Sequence, residues 1–466
     1  MKSRKIRHTS TGLFSDQASP TVIALGSDTV VSLQDLIREA PRVLDFLPKE
    51  ALTSLLASSS SLRQLVHGHA TAVTVVDVPQ PSAEQTLSTV KLLVQGNWSR
   101  LRKLTLRFSH KETSYWHAFK ATLTAECISQ LIKGVWPALE SVDLSWNLLE
   151  APAVAELVKA EWPSLTTLNL TGTMIHIVAV QHLVTASKST LQNLRSLDLS
   201  SNSLGRAALE ALAGNKWTQL SCFSFRNNLS WLDPHTVGYL SKANFTALET
   251  LDLAGTSLTV AAVAQLVSAE WPLLRHLRLA KTSLNADTIA QLMKGDWHQL
   301  RSLDVSSNDL DAAALQALYQ GSWHLLESFD IRHTFSSVDK CRELANLKTR
   351  LNQMRSLYLT SCDLSVEAVT ALFQGNWTSL QHLYLGSNKV TPVAMGQLLQ
   401  TKALPLLELL YMPGNGHPKN TVMNLIAGHF PLLKVLDMTG NCLSAPTLRI
   451  LNEGQWPFFC RFKHHY

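Results

Sequence analysis

The sequence is poor in the residues that do chemistry or cross-link a fold. Its six cysteines are Cys127, Cys222, Cys341, Cys362, Cys442 and Cys460, and no two are spaced as CxxC or as zinc-finger ligands. That pattern argues against a zinc site, and reduced, partly buried thiols are expected. HExxH, GxGxxG, GxxxxGK and GxSxG do not occur, so the usual marks of zinc hydrolases, nucleotide sites and serine hydrolases are missing. The histidines are scattered, with no ligand pair at helical spacing. Charged residues make up only 16% of the chain. No run of eighteen apolar residues occurs that would span a membrane. The opening residues lack the apolar core of a signal peptide. A net charge of +6 over 466 residues is weak ground for a nucleic-acid partner. The expectations are a protein that is not an enzyme, with no cofactor, metal, membrane or nucleic-acid partner, placed in the cytoplasm or nucleus.

What the chain does have is a period. From Trp98 onward, Trp98, Trp136, Trp162, Leu191, Trp217, Phe245, Trp271, Trp297, Trp323, Leu351, Trp377, Leu404, Phe430 and Trp456 mark the starts of successive segments. Most steps are 26 residues; three are 28 or 29, one is 27, and the first is 38 because it holds the insertion Phe108–Lys120. Within a segment the spelling is W-x-x-L-x-x-L-x-L-x-x-[N/T]-x-L, followed by an Ala- and Leu-rich stretch. Trp297, Leu300, Leu303, Val305, Asn308 and Leu310 write it out.

The L-x-L segment reads as a short strand, with Leu303 and Val305 turned to the core and Ser302, Asp304 and Ser306 turned out. Ala312–Tyr319 reads as the helix that returns the chain to a parallel strand by a right-handed crossover. Asn at the turn has donors and an acceptor for buried backbone groups, and Thr serves that role less completely. The Trp ring covers the junction with the next repeat. Both columns are structural.

This period and spacing resemble the leucine-rich repeat, in the 26-residue form of intracellular ribonuclease-inhibitor-like and F-box-associated arrays. The resemblance covers thirteen copies over 98–455. It departs in using Trp at the turn and in having few cysteines. It implies an α/β solenoid, a curved stack with a parallel sheet on the concave face, helices on the convex face and an N-terminal helical cap. The organisation expected is a disordered basic leader over 1–33, a helical cap over 34–70 and the solenoid over 71–466.

Leu47-Pro48-Lys49-Glu50-Ala51-Leu52-Thr53-Ser54-Leu55-Leu56 resembles the start of an F-box, in which LPxExLxxIL opens a small helical bundle. The match spans about half of such a domain. It implies that Leu47, Pro48, Glu50, Leu52, Leu55 and Leu56 bind a cullin-ligase adaptor within 40–67. A helical cap over the first repeat is the other reading.

The outward strand positions carry the partner expectation. Tyr358, Tyr384 and Tyr411 fall at one position in three successive repeats, in a chain with only seven tyrosines. Exposed aromatic side chains are typical anchors of binding surfaces. His382 flanks them. Asp304 and Asp330 fall on neighbouring strands about 5 Å apart, where like charges disfavour each other unless Arg278, Arg332 or a partner offsets them. The sequence therefore points to a scaffold binding a protein on the concave face, with a substrate receptor of a cullin-type ubiquitin ligase as the sharper form. An inhibitor that wraps an enzyme and a repeat-type effector of a pathogen are the rivals.

Overall fold

In the computed structural model, the described residues are 22–24, 30–32 and 72–76, most of 83–107 and 123–390, then 404–415, 430–441, 443–446, 449 and 461–463. The adaptor-binding expectation at 47–56, the insertion at 108–120 and the last Trp, Trp456, lie outside them. Within the expected leader, Val22–Ala24 pairs antiparallel with Val30–Ser32. Their β-branched residues flank Gly26-Ser27-Asp28, a turn signal that the leader reading did not use.

The chain forms two compact units. The first contains the strands Ala72–Val76, Lys103–Arg107, Ser141–Asp143 and Thr167–Asn169, which pair in parallel in that order. Between them run the helices Ala83–Val94, Ala125–Leu131 and Ala151–Leu157. Among the described residues the second holds eleven strands in one parallel sheet, from Ser196–Asp198 to Arg461–Lys463. Register is unbroken through its centre: Ser302, Ser328, Ser356 and His382 stand side by side, as do Leu303, Phe329, Leu357 and Leu383. No helix of the described residues is long and apolar enough to cross a membrane.

Each strand of the second unit's sheet is three residues long because the spelling allows only one L-x-L. In Ser302–Asp304, Ser356–Tyr358 and His382–Tyr384 the middle residue is buried and its flanks are half-covered. The returning helices start at polar caps. Thr259, Asn285 and Ser365 accept from the backbone N–H three residues on, which satisfies helical donors that have no partner within the helix. Their Ala, Val and Leu residues close the core behind the sheet.

Between strand and helix lies a left-handed turn. The residue just before the Asn or Thr column, which Cys362 fills in one repeat, has positive φ in ten successive repeats of the second unit: Ser201, Asn227, Gly255, Lys281, Ser307, His333, Ser361, Ser387, Gly414 and Gly440. For a residue other than glycine this costs about 1–2 kcal/mol. The asparagines offset it. Asn308 accepts from Thr282 N–H at 2.8 Å and donates to Leu279 and Val305 carbonyls at 2.8 and 2.9 Å. Asn388 and Asn415 repeat the pattern. Thr282 donates its hydroxyl to the Leu279 carbonyl at 2.6 Å, the smaller role expected of it. Only at Gly255 is a side chain sterically barred as well, since an added Cβ would meet Asn227 Oδ1 at 1.8 Å.

The tryptophans do more than cover junctions. Indole N–H groups of Trp136, Trp217 and Trp377 donate to carbonyls five residues earlier, at 3.0, 2.9 and 2.9 Å. Those are helix C-terminal carbonyls that the helix itself leaves open. Trp297 is equally buried, but its Nε1 meets no partner among the described residues.

Candidate functional site

On the solvent side of the second unit's sheet, one row of side chains runs across Asp252, Arg278, Asp304, Asp330, Tyr358, Tyr384 and Tyr411. Arg332 and His382 lie against it. All eight partner-binding residues expected from sequence are therefore brought together on one face.

They do not share one environment. Asp330 is buried at 8% exposure. Its Oδ1 accepts from Arg332 N–H two residues on, and the Arg332 side chain grips both oxygens at 2.7–3.0 Å. Burial pushes the Asp330 carboxyl up; the Arg332 bonds pull it down, and the Asp304 charge adds to the rise. Asp304 bonds Ser306 N–H in the same way. So do Asp198, Asp252 and Asp437 with the residue two further on. The recurrent Asp thus closes its own turn, a local bond that Asp shares with Asn in the equivalent Asn169. Arg278 sits 3.7 Å from Asp252. The offset of the Asp pair by Arg332 is realised at Asp330; Arg278 turns to the other neighbour.

The tyrosines form a stack. Tyr358 and Tyr384 have centroids 4.3 Å apart with rings 14° from parallel, and Tyr384 and Tyr411 are 5.4 Å apart at 48°. Arg332 ends the stack with its guanidinium 5.7 Å from the Tyr358 centroid, within cation–π reach. Burial is the main cause of the raised Tyr384 phenol, with Tyr358 second. Two residues nearer the strand start, Ser356 Oγ and His382 Nδ1 are 3.0 Å apart.

Sequence reasoning passed over a third column, just before each strand. There Arg275 pairs with Glu249, Arg301 with Glu327, and Lys434 with Glu408, each 26 residues apart. Arg355 approaches the same Glu327 at 3.8 Å. The signal was the alternation of Arg and Glu at the repeat length. Beside Arg355 is an open pocket of 240 Å³, lined by Gln353, Arg355, Ser379, Gln381 and Leu406. It spans the starts of the three strands that end in the Tyr stack. Among the described residues no group of three His, Cys, Asp or Glu side chains could hold a metal ion.

Repeat, register and turn define the class: the fold is an α/β solenoid of leucine-rich repeats. The family profile for the Leucine Rich repeat matches residues 190–213 and 298–318. Among solved structures, that of the Rad7 and Elc1 complex in yeast is similar, with 18% identity and a TM-score of 0.52, covering 93% of this chain and 98% of that one. An internalin (InlF) from Listeria monocytogenes has 17% identity and a TM-score of 0.39 over 79% of this chain and 88% of its own. LegL7, a leucine-rich-repeat-containing protein from Legionella pneumophila, has 18% and 0.42 over 71% and 96%. A search of curated proteins finds no match. At 18% identity the likeness to the Rad7 and Elc1 structure is one of fold. Leucine-rich-repeat solenoids are interaction scaffolds that bind protein partners on extended surfaces, and as a class they are generally non-enzymatic.

Proposed function

We propose that this protein is a binding scaffold whose protein partner docks over Tyr358, Tyr384 and Tyr411. The carrying observation is the stack itself. Three half-exposed rings in register, ended by Arg332, offer a rigid amphipathic surface that loses little entropy on binding. Asp304, Asp330, Arg278 and His382 border it and set which partner charges are tolerated. The test is capture of partners from cells by the wild-type chain and by a triple Tyr358→Ala, Tyr384→Ala, Tyr411→Ala variant, with melting temperatures matched. Partners lost from the variant support the reading; an unchanged set sinks it.

The sharper form is substrate receptor of a cullin-type ubiquitin ligase, with an adaptor held by Leu47, Pro48, Glu50, Leu52, Leu55 and Leu56. It is supported by the F-box-like spelling, and Rad7, whose fold is similar, is itself in a complex with Elc1. Deleting 34–67 should abolish adaptor capture and leave binding at the Tyr stack intact. If no adaptor is lost on deletion, the ligase reading fails and the scaffold reading stands.

A further inference from the structure

The pocket at the strand starts and the Tyr stack at the strand ends belong to the same three strands, Ser356–Tyr358, His382–Tyr384 and Leu409–Tyr411. Arg355 lies three positions before Tyr358, a rise of about 10 Å. That is within the reach of three or four residues of an extended peptide.

The pocket's charge is not balanced. Arg301 and Arg355 share the one carboxylate of Glu327, and Arg301 holds it more closely, at 2.5 Å against 3.8 Å. The trio keeps one net positive charge, centred on the guanidinium that lines the pocket. The other lining groups are two amides, a hydroxyl and the apolar Leu406, which is 40% exposed. Further along the same edge, Glu408 is taken by Lys434 at 2.7 Å. A guanidinium beside amide and hydroxyl donors suits a carboxylate, which accepts from all three types of group. Leu406 and the adjoining tyrosines suit an apolar neighbour.

The geometry points to one occupant: an extended acidic segment of the partner, with an Asp or Glu carboxylate at Arg355 and an apolar residue a few positions away over the Tyr stack. This rests on the docking proposed above and adds the chemistry of what docks.

The experiment is selection of short peptides from a random display library on the full chain. Selected peptides are then measured by fluorescence polarisation against wild type, Tyr384→Ala, Arg355→Gln and Arg355→Lys. The expected peptides carry Asp or Glu within about four residues of an apolar side chain, as the strand rise requires. They weaken at least tenfold with Arg355→Gln, recover in part with Arg355→Lys, and weaken equally when their own Glu becomes Gln. Peptides that need Tyr384 but show no acidic preference and ignore Arg355→Gln would overturn this inference and leave the docking surface standing. Peptides that ignore Tyr384→Ala would overturn both. Displacement by 10 mM inorganic phosphate but not by 10 mM acetate (about these concentrations, well above a typical weak contact) would replace the carboxylate with a phosphoryl group. That outcome too would overturn the inference as stated.

Discussion

The strands ending in Asp304 and Asp330 and those ending in Tyr358 and Tyr384 occupy equivalent places in one sheet, yet they use their solvent face in opposite ways. In the first pair the side chains fold back. Each carboxylate bonds a backbone N–H two residues on, and Arg332 occupies both oxygens of Asp330. In the second pair the side chains rest on each other, ring to ring, and their phenols bond one another. A face whose polar groups serve its own turns has little left for a partner. A face of half-exposed stacked rings still offers ring surface and edges. Position within a repeat therefore does not decide what a residue is for; the bonds it makes locally do.

The difference can be broken or sharpened by substitution. Trp297→Ala and Trp377→Ala should each cost about 3–5 kcal/mol in urea unfolding, because both rings are core. Trp377→Ala should be the larger loss, because it also removes the indole bond to the Leu372 carbonyl; a larger loss at Trp297 would contradict that bond's contribution. Asp330→Ala should cost about 2 kcal/mol, through the orphaned Arg332 and turn N–H, against about 1 kcal/mol for Tyr384→Ala, which loses stacking and a half-exposed bond to the Tyr358 phenol. Equal costs would erase the contrast between structural and displayed residues.

A subtler pair is Trp297→Phe and Trp377→Phe. The second should be worse by about 1 kcal/mol, since it alone removes a buried bond, to the Leu372 carbonyl. The smallest effect concerns Asp252, whose carboxyl burial pushes up, with bonds and charges from Ala254, Arg278 and Arg226 opposing. A raised folded pKa means that the native state holds its proton more tightly than the unfolded chain. Ionised Asp252 therefore costs stability above that pKa, and the cost fades as pH falls through it. The stability of Asp252→Asn relative to wild type should rise with pH from below about 3.9 to 7. A flat difference would show that the turn bond to Ala254 cancels the burial.

The solenoid was legible because its cause is periodic. Leu300, Leu303, Val305 and Asn308 recur at intervals that only a strand and a tight turn satisfy together, and the register followed. The Tyr row was legible as a row, since 358, 384 and 411 differ by about one repeat. What could not be read were features that depend on backbone angle or on atoms rather than residue type. Ser307, Lys281 and His333 share a left-handed φ that residue type does not announce; the backbone N–H of each bonds a carbonyl of the next repeat, that of Arg332, Ser306 and Thr360. Asp304 looked outward because strand alternation says so, and its turn bond appears only once the chain bends after Val305. The role of the Trp377 N–H depends on where the preceding helix ends, which composition does not locate to one residue.

The paired charges before the strands bear on how such an array can change over generations. Core positions are interchangeable between repeats: Leu303, Phe329 and Leu357 fill the same slot. By that measure a repeat could be lost or duplicated with little harm. The edge is not interchangeable. Excising the repeat that begins at Trp323 would set Arg301 beside Arg355 and take Arg332 away from Tyr358. Each mismatch is small, of the order of a surface ion pair at about 0–1 kcal/mol, but it arises at the surface where a partner reads the protein. The order of the repeats is thus written along their rim, in a record that the interior would not keep.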